Sequence, residues 1–93
     1  MEERSLDGRA IRTPDEFYDA FISAVDGLMP DYGGRNLDAL NDDLRELEEP
    51  LKVIWTHAGE SRRSLGEWFG RCLAVLLERE MGAPVTVVLR PGS

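Results

Sequence analysis

The chain has 93 residues, with 18 acidic against 11 basic side chains and a net charge of −7. That length makes one domain, 1–93, around a single modest core, with little room for a deep enclosed active site. The acidic excess argues against nucleic acid as a partner, because phosphate binding relies on clustered Lys and Arg; a basic protein is the natural complement.

The composition, 42% apolar and 31% charged, is that of a globular domain. Cys72 is alone, so no disulfide framework is expected, and no spacing suggests a zinc site. The opening "MEERSLDGRAIRTPDEF" has no apolar h-region of the kind a signal peptide needs. No apolar run approaches the roughly 20 residues of a membrane span. The expectation is a soluble, cytoplasmic protein with no membrane contact.

No internal repeat, linker or low-complexity block is present. Residues 2–6 read as a short strand ending at the turn pair Asp7-Gly8. "TPDEF" then predicts a helix start, with Thr13 as N-cap, Pro14 in the first helical position and Glu16 completing a capping box. Phe17, Phe21, Ala24 and Leu28 give that helix one apolar face, and Gly27 and Pro30 are its predicted stop. A second helix starts behind Asn36, a good N-cap, with Leu37, Leu40, Leu44 and Leu47 as its buried stripe.

Pro50 opens a strand, "LKVIW" at 51–55. A Gly/Ser/Arg-rich connection follows, with room for one helical turn. "SLGE" at 64–67 reads as a second capping box, starting a helix that runs through Met81, with Trp68, Phe69, Cys72, Val75 and Leu76 on its core face. Gly82 and Pro84 are the predicted stop. "VTVVL" at 85–89 is a continuous apolar run, which predicts a strand covered on both faces. The pattern is a small α/β single domain, with a three-stranded parallel sheet, about four helices and right-handed crossovers.

Few residues point to catalysis. His57 follows the second strand with no nucleophile identifiable beside it, and reads as a surface-loop histidine. Cys72 on an apolar helix face reads as a buried, inert thiol, Trp55 and Trp68 as core residues, and Arg62-Arg63 as solvated loop. "YGGRN" lacks the lysine and glycine spacing of a phosphate loop, and no HExxH or calcium-loop pattern occurs. No enzyme, cofactor, metal or catalytic residue is expected.

The segment 31–49 stands apart. It carries seven acids (Asp31, Asp38, Asp42, Asp43, Glu46, Glu48, Glu49) against two arginines. At 100° per residue, Asp38, Asp42 and Arg45 form one outward line, Asn41 lies beside it, and Asp42 and Glu46 are an i, i+4 pair. Like charges at that spacing destabilise a helix by a few tenths of a kcal/mol, and Asp42 lies beyond the reach of the helix dipole. The face reads either as ordinary solvated helix or as a rigid acidic surface for a positively charged cleft. Carboxylates four residues apart lie about 6 Å apart along the axis, near the phosphate spacing of an extended nucleic-acid strand. Tyr32 adds a flat amphipathic contact, and Gly33 and Gly34 admit a partner's backbone.

"LDGRAIRTPDEFYDAF", "YGGRNLDALNDDL", "EPLKVIW" and "VTVVL", in that order over nearly the whole chain, resemble the barstar family, intracellular inhibitors of secreted bacterial ribonucleases. The most specific part is Tyr-x-Gly-x-Asn-Leu-Asp-Ala-Leu-x-Asp, Tyr32 through Asp42. The resemblance implies a three-stranded parallel α/β fold and inhibition by plugging the ribonuclease active site with the second helix and its preceding loop. It implies a one-to-one complex with a basic, extracellular-type ribonuclease by a chain that is monomeric when free. Tyr32, Gly34, Asn36, Asp38 and Asp42 match family contact positions, Asp42 being the principal acidic anchor at a phosphate subsite. The implied partner-binding set is Tyr32, Gly33, Gly34, Asn36, Asp38, Asn41, Asp42, Arg45 and Glu46. The chain departs from the family at Asn41, which replaces a tryptophan, at Gly33 and Arg35, which replace an aromatic and an acid, and at Leu77, which takes the place of an acidic contact. The alternatives are a barstar-like module binding some other basic protein, and a carboxylate-dependent hydrolase using Asp38 and Asp42, for which no phosphate loop is present.

Overall fold

The computed structural model describes residues 2–28, 35–78 and 82–92. Three strands, β1 (Glu2–Asp7), β2 (Leu51–Thr56) and β3 (Val85–Arg90), form a parallel sheet in the order β1-β2-β3. The register sets Leu6 beside Trp55 and Trp55 beside Leu89. Between the strands run α1 (Pro14–Ala24), α2 (Leu37–Leu44), α3 (Ala58–Leu65) and α4 (Glu67–Leu77), after a 3-10 turn at Gly8–Ala10. This is the small α/β single domain that the pattern predicts.

β2 is central, and Leu51, Val53, Ile54 and Trp55 are all buried. β3, expected from its apolar run to be covered on both faces, lies at the sheet edge and is only partly covered. Val85 is buried, Val87 and Val88 are half-buried, and Thr86, Leu89 and Arg90 are exposed. Apolar content alone does not distinguish a fully covered strand from an edge strand that packs against α3 and α4 and leaves part of its length open.

α1 starts as predicted. The Glu16 amide donates to Thr13 Oγ1 at 3.2 Å, and the Glu16 carboxylate accepts from the amide of Arg12 at 3.0 Å, one residue before the cap. The helix ends at Ala24, with Gly27 in the left-handed turn beyond it (φ 85°); Pro30 lies outside the described residues. The sheet covers Phe17, which stacks on Trp55 at 5.5 Å between ring centroids and meets Tyr18 and Trp68 edge-on.

The region after β2 differs from expectation. "AGESRRSL" forms the two-turn α3 rather than a loop, burying only Ala58 and Ser61. Ser64 is the seventh residue of that helix and caps nothing. Gly66, at φ 59° and ψ −132°, breaks the chain between α3 and α4. Such a backbone is open to glycine and strained for other residues, which explains a break here without a capping side chain. α4 buries Phe69, Cys72 and Leu76, half-buries Trp68 and Val75, and ends at Leu77; Met81 lies outside the described residues.

At the carboxyl ends of β1 and β2 a buried polar chain joins the elements. Trp55 Nε1 donates to Ser61 Oγ at 3.1 Å, and Ser61 Oγ donates to the Gly8 carbonyl at 2.9 Å. A Cβ on Gly8 would collide with the carbonyls of Thr56 and His57, so only glycine fits. His57 itself is half-buried in the left-handed region (φ 49°) at the head of α3, not in a free loop.

Candidate functional site

α2 is short because its sequence supports two turns and no more. Asn36 caps it, its side-chain oxygen accepting from the Ala39 amide at 2.8 Å. Leu40 and Leu44 are fully buried, and Leu37 packs partly against the core. After Leu44 the amides of Arg45, Glu46 and Leu47 turn to i−3 acceptors at 3.1–3.2 Å, a tightened last turn. Leu47 is still buried, so the leucine stripe holds although its last member has left the helix.

The outward line is real over the helix proper. Asp38 and Asp42 are exposed and Asn41 beside them is half-buried. Asp38 sits in the first turn, where free amides favour a carboxylate. Asp42 retains 71% side-chain exposure, with Arg45 Nη1 3.9 Å away, the outer limit of an ion pair. Its carboxylate is therefore presented outward and only weakly screened.

Glu46 parts company with this line, because the tightened turn replaces the expected α-helical i, i+4 relation to Asp42. It lines a separate cavity of about 660 Å³ with Glu2, Leu28, Leu47, Glu48 and Glu49. Tyr32, Gly33 and Gly34 lie outside the described residues.

Three residues outside the core of the sequence argument join the site. Arg35 lies directly before the Asn36 cap and reaches across to α1. On α4, Trp68 and Arg71 share a groove of about 330 Å³ with Asn36, Leu37 and Asp38. At 100° per residue, Val75 and Glu78 continue that flank. Leu77, 53% exposed, falls instead on the flank of Gly70 and Leu73, which face β3 across a different groove. Glu78, the exposed cap residue of α4, follows Arg71 by seven positions, a spacing readable in the sequence.

The other chemistry-bearing residues lie elsewhere. Cys72 is fully enclosed, and burial pushes its thiol well above its ordinary range. Ser61 is buried and committed to the Trp55–Gly8 chain. Among the described residues no helix is long and apolar enough to cross a membrane.

No curated protein matches the chain. A family described as Barstar (barnase inhibitor) does match, over residues 1–90: the chain belongs to the barstar family.

Proposed function

We propose that the chain is an intracellular inhibitor of a small secreted guanyl-specific bacterial ribonuclease. It acts as a monomer that forms a one-to-one complex and blocks the enzyme's basic active site with α2 and the Tyr32-Gly33-Gly34 loop. The observation that carries this reading is the exposed Asp38–Asp42 line on a capped helix, in a chain of a family described as barnase inhibitors. Asp42 occupies a phosphate subsite among the enzyme's basic side chains, and Asp38 and Asn36 bind alongside it. Inhibition is steric and electrostatic exclusion of RNA, with no bond made or broken. The acidic excess steers the chain to the cleft, and exposed charges are screened beyond about 8 Å at physiological ionic strength.

The test is RNA cleavage by barnase and related guanyl-specific ribonucleases, titrated with the chain and with Asp42→Ala. Stoichiometric inhibition is expected, weakened more than about tenfold in the variant, because the enzyme's basic groups are left desolvated and unpaired. The association rate should fall steeply as salt rises. Asn41 and the exposed Leu77 favour a second reading, a family member that meets a different basic protein. A folded chain that inhibits none of these enzymes selects it.

A further inference from the structure

We propose that Arg35 is a positioning residue, clamping the start of α2 onto α1 so that the acidic face is held in its binding orientation before a partner arrives. This rests on the reading of α2 as the partner-binding helix. Arg35 lies one residue before the Asn36 cap, and its guanidinium gathers several contacts from a single stretch of α1. Nη2 donates to the Asp15 carbonyl at 3.0 Å and pairs with the Asp19 carboxylate at 3.0 Å; the Asp15 carboxylate is 3.7 Å away. Cζ stands over the Tyr18 ring, 5.9 Å from its centroid. That ring is a fixed platform, 2% exposed and set edge-on against Phe17 and Trp68 at 5.5 and 5.8 Å.

Two arguments make this a clamp rather than a chance surface pair. A lone exposed ion pair contributes little, because its attraction is screened by water and two long side chains must be ordered to make it. Here one ordered guanidinium stands over the Tyr18 ring while its Nη2 alone serves the Asp15 carbonyl and the Asp15 and Asp19 carboxylates, so a single side chain ties α2 to three residues of α1. The second argument concerns charge. An arginine bordering an acidic face works against capture by a basic cleft. Asp15 and Asp19 give this cluster a net negative charge, so Arg35 supplies geometry without spoiling the field.

Arg35→Lys separates geometry from charge, because it keeps the cation and loses the planar group that stands over Tyr18 while carrying Nη2 to Asp15 and Asp19. In the free protein, amide exchange at Ala39 and Leu40, which bond to the side chain and carbonyl of Asn36, should quicken about three- to tenfold. Against barnase, or whichever ribonuclease the wild type inhibits, dissociation should quicken by a similar factor while association changes less than about twofold. Asp19→Asn should act in the same direction, and the double variant should dissociate no faster than Arg35→Lys alone, because both remove one device. Unchanged exchange in Arg35→Lys overturns the clamp, as does unchanged dissociation or full additivity with Asp19→Asn. A wild type that inhibits no ribonuclease overturns the reading of α2 instead; the exchange measurement then still decides whether Arg35 holds the helix.

Discussion

At the carboxyl ends of β1 and β2, Trp55, Ser61 and Gly8 are wholly enclosed and joined by hydrogen bonds of 3.1 and 2.9 Å. On α2, about one helix diameter of chain holds Asp38, Asp42 and Arg45 in the open, with one marginal ion pair among them. The first region is specified by fit: a methyl group on Gly8 has no space. The second is specified by display: two leucines anchor it from beneath, one asparagine starts it, and its outer side chains touch little of their own protein. On the proposed function, stability and partner recognition reside in different residues, and substitutions should separate them.

The largest effect is expected at Trp55. Trp55→Ala empties the centre of the aromatic cluster and strips Ser61 of a donor, and should lower unfolding free energy by about 3–5 kcal/mol in a denaturant titration. Comparable destabilisation by Asp42→Ala would break the division.

Alkaline pH probes the same core. Burial pushes the Tyr18 hydroxyl from its ordinary 10.0 up to about 12. Above pH 10 the unfolded chain releases this proton and the folded chain keeps it. The stabilisation is therefore full below pH 10 and is lost as pH rises toward 12, by on the order of 2 kcal/mol. Tyr18→Phe should abolish that component of the stability–pH curve.

Asn36 lies at the border between the two regions. Asn36→Ala should cost about 1 kcal/mol through the lost cap and also weaken inhibition, since it loosens the displayed helix. The smallest effect, and of opposite sign, belongs to Gly70 on α4, where an added Cβ meets nothing within 4 Å. Gly70→Ala should raise stability by about 0.5–1 kcal/mol, read as a higher melting temperature, with inhibition unchanged.

What the sequence disclosed follows the range of the interactions involved. The start of α1 is written within four residues, Thr13 to Glu16, and the stripe of α2 within eleven, so both could be read directly. α3 could not, because Ala58 and Ser61 are too small and too polar to mark an apolar face. The "SLGE" signature misled because the decisive feature was the backbone of Gly66, which no side-chain pattern reveals. β3 read as covered on both faces because coverage depends on what packs against a strand, not on its residues alone. At the site, Asp38 and Asp42 were legible from helical spacing. The reach of Arg35 to Asp15 was not, because it joins positions 20 residues apart.

The parallel sheet has a consequence for how the molecule comes into being. Thr56 Oγ1 bonds to the Leu6 carbonyl 50 residues earlier, and Ser61 bonds to Gly8 across 53. During synthesis at about 5–20 residues per second, β1 waits roughly 3–10 s for the strand it pairs with. Its charged sequence, with Glu2, Glu3, Arg4 and Asp7, keeps it soluble through that interval. The apolar β3, by contrast, emerges last, when β2 is already in place to receive it.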